Sequence, residues 1–121
     1  MNIKTTELTA NALNWAVTKA EGRFGTDYSK GVLYFEGSGI ECNYSSDEKL
    51  GFEIIVEYGI NTYFQKEENN WFATIANFGP HHKAGRNYGE GETRLIAAMR
   101  AFVSFKLGEE VDIPEILLPR G

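Results

Sequence analysis

A chain of 121 residues and 13.6 kDa is long enough for one modest core and too short for two, so residues 1–121 read as a single domain. With 42% hydrophobic and 13% aromatic residues it has too many large side chains to bury for disorder to be its default state, and a folded, soluble globule is expected. Its 12 basic and 17 acidic residues leave a net charge of -5, which argues against broad adhesion to nucleic acid or anionic lipid and leaves room only for a local basic site.

The first periodic segment spans residues 8–22, where Leu13, Ala16, Val17 and Ala20 recur at helical spacing. Thr9 is the candidate N-cap, Leu8 and Leu13 stand where a hydrophobic staple closes, and Gly22 supplies the stop. Trp15 lies off this stripe and either covers a second packing surface or faces a partner. Between residues 31 and 78 the period changes. Residues 32–36, 52–58 and 71–78 are rich in β-branched and aromatic side chains and predict strands, and a further short strand is expected at 40–44. Polar clusters between these segments favour hairpins and an antiparallel arrangement. The clearest helix covers residues 93–107, where Leu95, Ile96, Met99, Phe102, Val103 and Leu107 form one stripe and Gly108 ends it. The expected fold is therefore α+β, an antiparallel sheet of four to five strands flanked by an N-terminal and a C-terminal helix.

Cys42 is the one cysteine, so no intrachain disulfide forms, and it is read as a small buried hydrophobe rather than a reactive thiol. The opening Met1-Asn-Ile-Lys lacks the apolar core of a secretion signal, and no stretch approaches the about 20 apolar residues of a spanning helix. A cytoplasmic protein with no membrane partner is expected.

The most unusual segment is residues 79–91, glycine-rich and longer than a minimal turn, and such loops often carry function. It gathers His82, Arg86, Asn87 and Tyr88 before a helix N-terminus, where backbone amides favour an anion, while Phe78 and Tyr88 are suited to stack on a flat ring. A phosphorylated aromatic small molecule satisfies that inventory. A solvated polar loop is the competing reading, and Glu90 and Glu92 weigh on its side by answering the helix dipole themselves. Arg100 sits inside the last helix among apolar neighbours, where a guanidinium needs a carboxylate, carbonyls or a ligand phosphate. A salt bridge to an acidic strand residue is the plainer alternative there. Arg23, just beyond the first helix, is a weaker candidate of the same kind.

Other chemistry finds little support. His81 and His82 are adjacent without further ligands at metal-site spacing, and the glycines at 85, 89 and 91 fit neither the dinucleotide nor the phosphate-loop pattern. Glu53 and Glu57 share strand parity and read as one solvated face, and no nucleophile elbow occurs. Neither enzyme activity, a metal nor a resident cofactor is expected.

The two ends of the chain resemble the NinX-like family of small tailed-phage proteins. The resemblance rests on Lys4-Thr-Thr-Glu-Leu-Thr-Ala-Asn-Ala-Leu-Asn-Trp-Ala-Val-Thr-Lys-Ala-Glu-Gly22 and on Glu92-Thr-Arg-Leu-Ile-Ala-Ala-Met-Arg-Ala-Phe-Val-Ser-Phe-Lys-Leu-Gly-Glu-Glu-Val-Asp-Ile-Pro114. Members often carry Thr-Pro-Leu where this chain has Thr93-Arg94-Leu95, so Arg94 gives up a preorganised first turn and adds a cation near the proposed anion site. The resemblance implies phage or prophage origin. In size and element order the chain is also similar, more loosely, to the phage anti-Thoeris sponge proteins, which sequester cyclic ADP-ribose-type signals of host defence. Those sponges use an aromatic stack, an asparagine and arginines at a subunit boundary, and Phe78, Asn87, Arg86 and Arg100 are the nearest equivalents here. The resemblance thus implies a homo-oligomeric anti-defence protein that binds a cyclic nucleotide signal, of cyclic ADP-ribose or cyclic dinucleotide type, without cleaving it. The alternative expectation is a protein-interaction module acting on a host or phage protein through Trp15, Trp71 and nearby aromatics.

Overall fold

The computed structural model describes residues 1–22, 24–75 and 88–118. In chain order these form strand β1 (Asn2–Lys4), a 3-10 turn (Thr5–Glu7), helix α1 (Ala10–Glu21), the hairpin of β2 (Thr26–Ser29) and β3 (Val32–Phe35), and helix α2 (Glu48–Tyr58). Strands β4 (Ile60–Gln65), β5 (Asn70–Ile75) and β6 (Tyr88–Gly91) follow, then helix α3 (Arg94–Leu107), strand β7 (Glu110–Asp112) and a 3-10 turn (Glu115–Leu117). The class is α+β as expected, but the strands among the described residues make three small antiparallel sheets, β1-β7, β2-β3 and β4-β5-β6, rather than one sheet of four to five strands.

Helix α1 forms where its stripe predicts. Leu8 and Leu13 are both buried, Thr9 occupies the N-cap position in extended conformation, and Gly22 closes the helix in the left-handed region with its amide on Thr18 O at 3.0 Å. The Thr9 side chain, however, makes no capping bond. Trp15 packs against the core at half burial beneath Lys19 Nζ, 5.2 Å from its ring centroid.

Residues 52–58 correct the strand expectation, for they are the body of α2. Asp47 starts this helix by accepting from the amides of Lys49 and Leu50 at 3.0 and 3.4 Å, and Gly59 ends it at φ 62°. The buried side is Gly51, Ile54 and Ile55, continued by half-buried Leu50 and Tyr58, while Phe52, Glu53, Val56 and Glu57 face water. Glu53 and Glu57 do share a solvated face, by helical rather than strand geometry. The strand expected at 40–44 reduces to one bridge between Tyr34 and Glu41. The strand expected at 71–78 is β5 to Ile75, its remainder lying outside the described residues.

Helix α3 is the centre of the molecule. It packs against α1, α2 and the three strands β4 to β6, and it is buried on nearly every side, as a helix that is apolar almost all round must be. Strand β6, which the sequence suggests is loop, lies directly on it. A Cβ at Gly89 would stand 2.5 Å from both Ala97 O and Ala101 N, so only glycine lets this strand approach the helix backbone. The Tyr58 and Phe102 rings, 4.6 Å apart, tie α2 to the same helix.

Candidate functional site

Arg100, half-buried, is the cation on which the sequence expectation turns. It leaves α3 on the same helical side as Ser104, four residues on, and reaches two other segments of the chain. Nε donates to Leu8 O at 3.0 Å, just before α1, and Nη1 donates to Glu90 O at 2.7 Å in β6. The hydrogen-bond partners are backbone carbonyls, so the plainer alternative holds only in altered form: the acidic strand residue Glu90 accepts through its carbonyl, and its carboxylate acts on the guanidinium through space rather than in a hydrogen-bonded salt bridge. Burial pulls its pKa below the ordinary arginine value, while the Glu90 and Glu92 carboxylates raise it again. An arginine so placed stays charged.

The guanidinium forms part of the wall of a cavity of about 270 Å³, together with Lys4, Thr5, Thr6, Tyr88, Gly89, Ser104, Glu109 and Glu110. Tyr88 is 37% exposed, which leaves much of its ring available to a guest. Lys4 and Glu110 sit opposite one another in the β1-β7 register, so this wall carries both signs of charge.

Of the candidate residues, Tyr88 and Arg100 line the same cavity. Arg94 is elsewhere: its Nη2 pairs with Glu48 Oε2 at 3.2 Å, and it lines a different cavity, of about 510 Å³, with Thr93 and residues from the starts of α1 and α2. It does not contribute to the Arg100 cavity. Arg23, Phe78, His82, Arg86 and Asn87 lie outside the described residues, as does most of the 79–91 segment. The part of that segment within them, Tyr88–Gly91, is strand β6.

A family model described as bacteriophage P22 NinX matches residues 4–106, from the first strand almost to the end of α3. The chain belongs to the bacteriophage P22 NinX family. No curated protein matches it. Within this NinX-family chain, sequence reasoning missed Lys4, Thr6 and Ser104 as cavity residues; Ser104 was open to discovery, because it shares a helical side with Arg100 at spacing i, i+4. It missed Asn14 as well, a 3%-exposed asparagine inside the apolar stripe of α1, and that anomaly in the stripe was the available signal.

Cys42 behaves as a buried small side chain. Its Sγ lies 3.0 Å from Thr18 Oγ1, and burial pushes the thiol up, opposed by that hydrogen bond. Among the described residues no group of three or more His, Cys, Asp or Glu side chains is arranged to hold a metal ion. No helix among them is long and apolar enough to cross a membrane.

Proposed function

We propose that the chain is a phage anti-defence protein that captures a cyclic, phosphate-bearing nucleotide signal, of cyclic ADP-ribose or cyclic dinucleotide type, and holds it without breaking a bond. The observation that carries this reading is the way Arg100 is held. Two backbone carbonyls fix the guanidinium at a cavity wall, and although Glu90 and Glu92 act on it through space, no carboxylate among the described residues is hydrogen-bonded to it, which leaves it able to take a phosphate. Its Nη2 has no hydrogen-bond acceptor among the described residues. Tyr88, a partly exposed residue of the same wall, offers a ring face for a base, and Lys4 adds a second cation. A cavity of about 270 Å³ is small for an entire cyclic dinucleotide, which agrees with a site completed by a second copy of the chain. No enzymatic step, cofactor or metal enters this reading.

Calorimetry of the purified protein against cyclic ADP-ribose isomers and cyclic dinucleotides tests it. Saturable binding by one class is expected, with the ligand recovered intact after denaturation. A flat titration across the panel refutes the reading, and recovery of a cleaved molecule replaces capture with turnover.

The second reading is a module that binds a host or phage protein. Its support is the exposed aromatic pair Tyr63 and Phe64 on β4, an outer strand of its sheet, whereas Trp15 and Trp71 are half-buried against the core. Retention of a protein partner by the parent chain, lost in Phe64→Ser, with no small molecule bound, would favour it.

A further inference from the structure

The cavity that holds Arg94 is built from segments far apart in sequence. Helices α1 and α3 pack against each other, and residues of both first turns line this hollow: Ala10 and Asn11 from one, Arg94, Leu95 and Ile96 from the other. Helix N-termini present free amides and the positive end of the backbone dipole. Here they are incompletely capped. Thr9 gives no side-chain bond to α1, so the amides of Asn11 and Ala12 find no acceptor among the described residues. At α3 the Thr93 hydroxyl accepts only from the Ile96 amide, at 3.1 Å. The start of α2 differs, since its own Asp47 already caps it.

A second, independent observation comes from the side chains in the same wall. Ser45 is 9% exposed, and its hydroxyl has no hydrogen-bond partner among the described residues. Asn14 is 3% exposed; its Oδ1 accepts from Ser45 N at 2.9 Å, but its Nδ2 has no acceptor among those residues. Buried polar groups are almost always paired, and two unpaired donors lining one cavity mark a place where a ligand or water supplies the acceptor. All these groups donate. Arg94 adds a cation, and its partner Glu48 is the one carboxylate among the described residues of the wall.

We propose that this cavity binds a small oxyanion, phosphate or a phosphate monoester, between the starts of α1 and α3, with the Asn14 amide and the Ser45 hydroxyl as its side-chain donors. Arg94 then exchanges Glu48 for the ligand. The volume, about 510 Å³, exceeds what free phosphate fills and accommodates the body of an ester. This site is independent of the Arg100 cavity and stands or falls separately from the capture of a cyclic signal there.

The test is titration of the full chain, labelled with nitrogen-15, with inorganic phosphate and in parallel with adenosine 5'-monophosphate, followed by amide chemical shifts. Saturable shifts of Asn11, Ala12, Ser45, Arg94 and Leu95 at millimolar concentration or below are expected. Tighter binding of the monophosphate assigns an ester, equal binding assigns the free ion, and both support the site. Ser45→Ala removes one donor without breaking any hydrogen bond described here and should weaken binding about tenfold. Asn14→Asp keeps the acceptor for Ser45 N but replaces a donor by a negative charge, and should abolish binding; should that variant not fold, Ser45→Ala carries the test. Glu48→Gln, at an exposed position, should strengthen it. The proposal is overturned if these amides do not move with either probe, or if Ser45→Ala and Glu48→Gln both leave the affinity unchanged. Absence of cyclic-nucleotide binding at Tyr88 and Arg100 would leave it intact.

Discussion

Replacing Arg100 with alanine tests whether its guanidinium ties the fold together as well as facing a cavity. The side chain joins three segments: α3 from which it springs, the carbonyl of Leu8 ahead of α1, and the carbonyl of Glu90 in β6. A hydrogen bond to a charged group contributes about 1.5–3 kcal/mol when buried, so two give an upper bound of roughly 3–6 kcal/mol. Arg100 is only half-buried and water will reach part of what it leaves, so the expected loss is about 2–4 kcal/mol. Against a domain stability of about 5–15 kcal/mol the variant remains folded at room temperature, with a clearly lower urea midpoint. Arg100→Lys should fall between the two, because a compact ammonium reaches one carbonyl but lacks the fork that reaches both. Urea unfolding at constant m-value measures each. If Arg100→Ala lies within about 0.5 kcal/mol of the parent, the two carbonyls are served equally well by water and the structural reading of this arginine is wrong.

Gly89→Ala drives a methyl into the backbone of α3 at Ala97 O and Ala101 N, and should cost at least about 1–3 kcal/mol by thermal unfolding, since backbone cannot step aside as a flexible side chain does. Asp47→Ala removes the cap of α2 and should cost about 0.5–2 kcal/mol, with Asp47→Asn recovering most of it; equal stability of parent and alanine variant would contradict the capping geometry. Cys42 should resist a thiol reagent in the native protein and react on unfolding. Because burial raises its pKa, any native-state reaction should climb with pH at values above those of a free thiol, and rapid labelling at neutral pH would show that the side chain is not enclosed.

The ends of the chain were legible because their apolar residues repeat at one period and glycines stop both helices. The middle misled for a specific reason. In residues 52–58, Phe52, Ile54, Val56 and Tyr58 alternate with Glu53, Ile55 and Glu57, which is a strand's pattern, and β-branched residues strengthen it. The buried positions are instead those of a helix, Gly51, Ile54 and Ile55 with Leu50 and Tyr58, and the signals that identify it stand just outside the window: Asp47 ahead and Gly59 behind. Strand β6 was hidden differently. Glycines at 89 and 91 look like loop flexibility, yet neither adopts a positive φ; they are small so that α3 can lie against them. A sequence does not distinguish glycine needed for a torsion from glycine needed for space. The larger cavity was illegible because its wall comes from the beginnings of three helices, whose meeting depends on how they pack.

Both cavities draw on α3, and they take positive charge from different sources. At the first, charge arrives on a side chain: Arg100 and Ser104 share one side of α3 and line the cavity together, and nearby carbonyls hold the guanidinium in place. At the second, much of it belongs to the backbone, in first-turn amides of α1 and α3 that no substitution short of proline removes. The distinction separates the two sites in experiment. A phosphate-bearing ligand that depends on Arg100 loses its binding when that one residue changes, whereas an oxyanion seated between helix starts responds to Ser45 and Glu48 and is indifferent to Arg100. Oxyanion affinity that survives in Arg100→Ala therefore belongs to the helix-start cavity, and the same α3 that makes the core also sets apart the two places where an anion is received.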